Sequence, residues 1–523
     1  MKYIHFKHSY YLFFLSFTLM INYSVFAQNS ESKPNILFIA VDDMNDWIGP
    51  LGGMELSKTP NLDKLASQSM LFKNAHCASP ACSPSRLSIM TGVQPSKSGN
   101  MQNEWYDGAQ WRNEPIFKDI ETIEQFFKNR GYKALAGGKI YHTLAPPWEV
   151  LNQTEPESWD FYFPSAHAPL PYQIRAEDSI INPTHFKGKR LEYFTWGPLN
   201  IPEEKMADYQ VVDWARYQLQ QKHDKPFYLA CGLFRPHMPW EVPQKYFDLY
   251  PLEDIPDLEI QENDLKDAFD HGRRNWHKWV LMNKQWKKVI QGYLASIAFA
   301  DAQLGRLLKT LEESEYHKNT IVVLWSDHGM HMGEKENWEK FTLWEEATRV
   351  PLIIKAPGVT IAGSSSYQPV SLLDVYPSLA QLAGFEVPEH CDGVSVLPLI
   401  KNPKEKRNQS ALTSFNFNRS TANYRKNPII GHALRGERFR YIYYEKLGLE
   451  ELYDHNNDPS EFNNLAYRKD SKHVIKEFRN ELVGRVDYLT LEDFKKFPKE
   501  YIINNEVIEK TNFKTMNELI FME

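Results

Sequence analysis

Between residues 34 and 41 the chain reads Pro-Asn-Ile-Leu-Phe-Ile-Ala-Val and then stops at two acids, Asp42-Asp43. A short apolar run without alternation reads as a strand buried on both faces, as in a parallel sheet. The event recurs along the chain. Residues 320–325 run into Ser326-Asp327-His328-Gly329, 227–233 end at Arg235-Pro236-His237, and 132–136 lead into Gly137-Gly138-Lys139. Helical patterns separate these runs at 61–69, from 85 onward, at 120–130 before Gly131, at 293–313, and at 372–382 before Gly384. Strands alternating with helices predict a doubly wound α/β domain. Open sheets of that kind bind ligands at the carboxyl ends of their strands, which is where these polar residues fall.

The chain has 523 residues, too many for one ordinary domain. The first 27 have signal-peptide anatomy: Lys2 and Lys7, an apolar run over 10–21, and Val25-Phe26-Ala27 before a polar stretch. The run is short for a membrane span, so the expected product is periplasmic or secreted, with no stable membrane insertion after cleavage. Without these residues 58 basic side chains face 67 acidic ones, a net charge of −9. An acidic chain with no basic stripe is not a general polyanion binder, which argues against nucleic acid as a partner. An anionic substrate must therefore meet a local basic pocket. The four cysteines, Cys77, Cys82, Cys231 and Cys391, suit neither a disulfide scaffold nor a zinc site. Near residue 403 the pattern changes to strand-like pieces at 429–434 and 439–444 and a polar helix at 473–488. The expected division is a signal peptide over 1–27, a catalytic domain over 28–404 and a smaller α+β domain over 405–523.

Asp42 and Asp43 would point to opposite faces of a regular strand, so the strand must end there for both to converge. Buried acids at a strand end call for a cation, and with Asp327 they offer hard oxygen ligands suited to Ca²⁺ or Mg²⁺. Asp is equally at home as a helix N-cap, and residue type alone does not decide. Cys82-Ser83-Pro84-Ser85-Arg86, followed by Thr91-Gly92, sits where a helix begins. Such a position favours an anionic group through exposed N–H groups and the helix dipole.

The sequence Cys-x-Pro-Ser-Arg resembles the tag of type I sulfatases, in the alkaline-phosphatase superfamily. The resemblance extends through Asp42-Asp43, Thr59-Pro60-Asn61-Leu62-Asp63-Lys64, Gly138-Lys139-Ile140-Tyr141-His142, Arg235-Pro236-His237 and Ser326-Asp327-His328-Gly329 to Glu451-Leu452-Tyr453-Asp454. Gly138-Lys139-x-x-His142, the Asp-His-Gly triplet and Trp338-Glu339-Lys340 are most similar to the iduronate-2-sulfatase branch. The resemblance implies an alkaline-phosphatase-like large mixed sheet flanked by helices, with the smaller C-terminal domain. It implies that a formylglycine-generating enzyme oxidises Cys82, and that the hydrated aldehyde attacks sulfur. It implies one Ca²⁺ per chain, held by Asp42, Asp43, Asp327, His328 and the oxygen on residue 82. Arg86 would orient the hydrate, Lys139 and Lys340 meet the sulfate, His142 take a proton, and His237 protonate the leaving alcohol. Many family members carry Asn or Gln in place of His328, and imidazole is not a preferred Ca²⁺ ligand; contact with sulfate is the alternative for that side chain.

The expected substrate is a sulfated oligo- or polysaccharide, algal (such as ulvan) or a glycosaminoglycan fragment, cleaved in exo fashion. Residues 271–279 with Trp286-Lys287-Lys288, and 101–112 with Trp105, Tyr106 and Trp111, are candidate sugar surfaces, although a solvated helix with Trp on its packed face is the slightly stronger reading of the first. Arg349 is a further pocket candidate. A phosphatase or phosphonate hydrolase of the same superfamily, or a non-catalytic sulfated-glycan-binding relative, are the alternatives.

Overall fold

A computed structural model of the chain describes residues 33–103, 110–142, 156–164, 180–181, 194–257, 261, 264–270, 274–418 and 428–495. The signal-like segment and Trp105, Tyr106 and 271–273 lie outside these residues. The large sheet has eight strands: β1 Asn35–Val41, β2 Met70–Phe72, β3 Lys133–Gly138, β4 Phe161–Phe163, β5 Phe227–Leu233, β6 Thr320–Ser326, β7 Leu352–Lys355 and β8 Ser364–Ser366. Their spatial order is β8-β2-β7-β6-β1-β5-β3-β4. The pairs from β6 to β4 are all parallel, while β7 runs antiparallel to both β6 and β2. The sheet is therefore mixed, as the resemblance implied.

Every residue of β1, β5 and β6 is buried, so neither face could alternate with polar residues. Leu37, Ile39 and Val41 point into one apolar layer with helices α1 (Pro60–Ser67), α4 (Ala207–Gln220) and α6 (Trp286–Glu313). Ile36, Phe38 and Ala40 point into the other, with α2 (Cys82–Thr91), α3 (Ile123–Asn129) and α7 (Val375–Leu382). Helix α5 (Arg274–Met282) leads into α6. Helix α3 is shorter than its sequence pattern because Thr122 and Gln125 form a capping box that fixes its start. Helix α6 begins seven residues before Tyr293, since the polar turn Trp286-Lys287-Lys288 hides the apolar period.

A second sheet holds four antiparallel strands in chain order: β9 Ala411–Asn416, β10 Ile430–Arg435, β11 Phe439–Tyr444 and β12 Leu449–Asp454. Helix α8 (Lys472–Val483) packs on it through Ile475, Phe478 and Leu482. Ser414 of β9 donates its N–H to Ala78 O at 2.9 Å, tying this sheet to the segment that leads into α2. No helix among the described residues is long and apolar enough to cross a membrane. All four cysteines are free thiols.

Candidate active site

The neighbours β6, β1, β5 and β3 end along one edge of the large sheet, with Val41 in register with Ser326 and Leu233, and Gly138 with Gly232. The residues just beyond each strand are therefore brought together: Asp327 and His328 after β6, Asp42 and Asp43 after β1, His237 after β5, Lys139 and His142 after β3. Two local backbone features make the convergence possible. Asp43 has φ 59°, which breaks the strand and lets adjacent carboxylates share one site. Gly138 has φ 78°, and a Cβ there would lie 1.9 Å from Gly232 O, so only glycine fits.

Cys82 opens α2 after Ala81, and the helix has no side-chain cap of its own. Asn103 supplies one from outside, its Oδ1 accepting from Ser83 N at 3.0 Å. The Cys82 Sγ lies 3.3 Å from His328 Nε2 and 3.3 Å from Lys340 Nζ. Burial lowers the pKa of His142, and its interaction with the same thiol works against that burial. Burial alone would keep that thiol protonated, but Lys139, Lys340 and His328 outweigh burial and hold it well below the ordinary thiol range. Position 82 is thus a place where negative charge on the terminal atom is stabilised.

Arg86, one turn along α2 and fully buried, ties the carboxylates together. Its Nε donates to Asp327 Oδ2 at 2.8 Å, one terminal nitrogen to Asp42 Oδ1 at 3.1 Å, and the other to Lys139 O at 2.6 Å. Lys139 Nζ bonds Asp42, and Lys340 Nζ bonds Asp43 Oδ1 at 2.6 Å. Burial raises Asp42, yet Lys139 and Arg86 outweigh it and hold its carboxyl far below the usual range. Asp327 goes the other way: burial and the charge of Asp42 exceed the help of Arg86, and it is pushed up to about 7. Burial opposes charge on His328 too, but Asp327, Cys82 and Asp43 push it up to about 9.

The carboxylates of Asp42, Asp43 and Asp327 are the oxygen donors that a hard divalent cation takes. Single atoms of Asp42, Cys82, Asp327 and His328 lie within 4.8 Å of one another. Asp43 Oδ2 is buried with no hydrogen-bond donor. His328 Nδ1 donates to Gly329 O at 3.0 Å, so Nε2 is the nitrogen facing the group, and it would offer its electron pair only where a cation takes the place of the proton. His237 sits at the mouth, its side chain 20% exposed and its Nε2 3.8 Å from Asp43 Oδ2. Its Nδ1 donates to Met238 O at 2.5 Å, so Nε2 is the nitrogen turned toward the site.

Every residue proposed for the site from sequence lies in this group: Asp42, Asp43, Cys82, Arg86, Lys139, His142, His237, Asp327, His328 and Lys340. The secondary candidates do not. Arg349 instead pairs with Asp46 at 3.0 Å and bonds Lys73 O. Trp276 stacks on Phe194 with centroids 4.1 Å apart, and Trp279 packs near Trp196. Trp111 is buried against Tyr141. These indoles serve packing. Two supporting residues carry no signal in the sequence: Asn103, the cap of α2, and Tyr293, whose hydroxyl bonds the backbone on both sides of Met44.

The sulfatase family model matches residues 34–385, and a model described as N-sulphoglucosamine sulphohydrolase, C-terminal, matches 333–488. A Formosa agariphila protein named sulfatase is 36% identical over 447 residues, covering 84% of each chain. Human iduronate 2-sulfatase is 30% identical, covering 70% of this chain and 72% of its own. A second Formosa agariphila protein, named ulvan-active sulfatase, is 28% identical over 88% of this chain and 81% of its own. Among solved structures, one in complex with its substrate D-glucosamine-2-N,6-O-disulfate superposes with TM-score 0.63 at 22% identity, covering 86% of this chain and 98% of that one. The matched region takes in all four strand ends and helix α2, and the chain belongs to the sulfatase family of sulfuric ester hydrolases.

Proposed function

We propose that this chain is a periplasmic or secreted, Ca²⁺-dependent sulfatase that removes sulfate from sulfated carbohydrate in exo fashion, with Cys82 oxidised to formylglycine by a maturing enzyme. The observation that carries this reading is the setting of residue 82: its terminal atom contacts Lys340 and His328 at 3.3 Å, beside three buried carboxylates. Asp42, Asp43, Asp327 and His328 would hold the Ca²⁺, which offsets the charge that repels a nucleophile from a sulfate ester. Formylglycine supplies a hydrated aldehyde, whose two hydroxyls let one oxygen attack sulfur and the other restore the carbonyl.

The remaining work falls to this chain's own side chains. Lys139 and Lys340 bind the sulfate oxygens, and Arg86 keeps residue 82 and the carboxylates in place. His142, held neutral by burial and interacting with residue 82, accepts a proton there. His237 Nε2 gives a proton to the leaving sugar oxygen at the exposed end, where the glycan would depart. The relatives named ulvan-active sulfatase and iduronate 2-sulfatase both support a sulfated glycan as the substrate class, algal polysaccharide or glycosaminoglycan.

Turnover of defined sulfated oligosaccharides by the wild type, produced with a maturing enzyme, and by Cys82→Ala tests this. The variant is expected to lose at least about 10³-fold in kcat/KM, and the mass of the peptide containing residue 82 reads the oxidation. Unchanged turnover in Cys82→Ala overturns the mechanism. Faster cleavage of the phosphate than of the sulfate ester of one alcohol would favour the phosphatase alternative.

A further inference from the structure

Asp43 has a left-handed backbone, φ 59°, in a residue type that reaches this region at some energetic cost. The turn after β1 has no backbone partner for several of its groups, and side chains from other elements supply them. Asp43 N donates to Asp327 Oδ1 at 3.1 Å, and Met44 N donates to Ser326 Oγ at 2.9 Å. Both of those acceptors come from the end of β6. The third support comes from the opposite side. Tyr293 Oη, from the third turn of α6, donates to Asp43 O at 2.7 Å and accepts from Asn45 N at 3.0 Å.

The Tyr293 ring is completely buried and held by two indoles, Trp47 and Trp240, with ring centroids 5.7 and 5.6 Å away in edge-on geometry. Its neighbour Gly292 lets the helix approach Trp196 and Trp240 closely, since a Cβ there would lie 2.8 Å from Trp196 Cβ. The hydroxyl therefore has one available position, and that position brackets the turn at residues 43–45. A hydroxyl that both donates to and accepts from the same turn fixes it in two directions, whereas a packed Phe would fill the space and fix neither.

We infer that Tyr293 is a positioning residue for the metal site: it holds the left-handed turn at Asp43, and so aims the Asp43 carboxylate, whose Oδ2 has no hydrogen-bond donor, at the cation. The inference rests on the metal reading given above. Partners that orient ligands from outside typically change metal affinity by about 10–100-fold when removed.

The full-length chain, stripped with chelator and titrated with Ca²⁺ alone by calorimetry, provides the test. Tyr293→Phe is expected to bind Ca²⁺ at least about tenfold more weakly than wild type, and to need Ca²⁺ raised by the same factor to recover activity. Tyr376→Phe is the control: it removes an equally deep hydroxyl, which bonds Glu121 O at 3.0 Å away from the site, and is expected to leave Ca²⁺ affinity unchanged. Should Tyr293→Phe be too unstable to titrate once stripped, the rise in melting temperature on adding Ca²⁺ serves the same comparison, and a smaller rise in the variant than in the wild type is expected. A wild type that binds and a variant that binds equally well, with only its melting temperature lowered, overturns the inference alone. A wild type that binds no Ca²⁺ overturns it together with the metal reading.

Discussion

At the carboxyl edge of the large sheet, Asp42, Asp43 and Asp327 meet Arg86, Lys139 and Lys340; where that sheet abuts the C-terminal strands, Glu345 and Glu461 meet Arg435, Arg440 and His455. Both clusters are buried, and both bring acidic, His or Cys side chains within metal-binding spacing, four at the sheet edge and three at the junction. They differ in how the charge is settled. Arg440 Nε lies 2.7 Å from Glu461 Oε1 and its terminal nitrogens bond Glu345 and Leu343 O; Arg435 lies 3.1 Å from Glu345, and His455 2.9 Å from Glu461. Burial raises both glutamates, but the cations around them outweigh it and both end below the ordinary range. At the sheet edge Asp327 ends near 7 and Asp43 keeps an oxygen with no donor. Guanidinium groups fill the coordination space of Glu345 and Glu461, so that cluster is structural, while the sheet edge keeps an oxygen free for a ligand.

The structural cluster still bears on the site. It holds the loop that carries Lys340 from both ends: Lys335 Nζ bonds Glu461 O and lies 2.8 Å from Asp264, Arg440 holds Leu343 O at 2.9 Å, and Glu345 N donates to Glu461 Oε2 at 2.9 Å. Lys335, Glu336 and Phe341 within or beside that loop all have positive φ, a shape that outside anchors must maintain.

The largest expected effect separates the clusters directly. Asp43→Asn should lower kcat/KM by about 10³-fold or more and abolish Ca²⁺ binding, whereas Glu461→Gln should leave Ca²⁺ affinity in a calorimetric titration as it is in the wild type. Loss of Ca²⁺ binding in Glu461→Gln would break the distinction. Next in size, Arg440→Met leaves Glu461 buried without its main partner and Glu345 without one of its cations, and should destabilise the fold by about 3–5 kcal/mol in urea denaturation. A change below about 1 kcal/mol would show that the guanidinium is not what holds this junction.

The two clusters were not equally legible in the sequence. Asp42, Asp43, Lys139, His237, Asp327 and His328 come just after buried strands, and a strand buried on both faces announces itself as an apolar run with an abrupt polar end. Cys82, Arg86, Lys139 and His142 lie in short local patterns, and the family resemblance those patterns carry is what brought them forward. The junction cluster gave no such signal. Glu345, Arg435, Arg440, His455 and Glu461 come from different elements, and nothing in local spacing says which distant charges will pair. The Asp43 turn was half legible: the strand had to end for both carboxylates to converge, but the left-handed φ and the hydroxyl of Tyr293 beneath it are tertiary facts. In sequence Tyr293 is one more aromatic on an apolar helix. The Trp-rich stretch at 271–279 with Trp286 was open to two readings, since aromatic richness marks a packed layer and a sugar platform alike, and the packing of Trp276 and Trp279 agrees with the first.

A smaller effect is expected in the acid limb of stability. Glu345 and Glu461 have folded values below 4.5, their ordinary value, so their contribution is complete above that pH. As pH falls below it, the unfolded chain takes up protons first, and the contribution is lost as pH drops toward the folded values. The urea midpoint of the wild type should therefore fall more steeply between about pH 5 and pH 3 than that of Glu461→Gln. Other carboxylates contribute to both proteins and cancel in the difference. Parallel curves would mean that Glu461 does not gain from its partners, and the junction would then rest on packing alone.

The smallest effect tests whether burial or contact length makes the junction strong. Lys64 and Glu312 join α1 to α6 with an N–O distance of 2.7 Å, the same as between Arg440 and Glu461. Their side chains are 57% and 40% exposed, against 0% and 3% for the buried pair. In water the attraction is screened and each side chain gives up conformational freedom to hold one geometry, so Glu312→Gln should change stability by less than about 0.5 kcal/mol. Even that difference should vanish near 1 M salt, where the screening length is about 3 Å. If instead Glu312→Gln destabilised the fold as much as Arg440→Met, an equal distance would mean an equal energy, and the burial that separates the junction from the surface would have no energetic consequence.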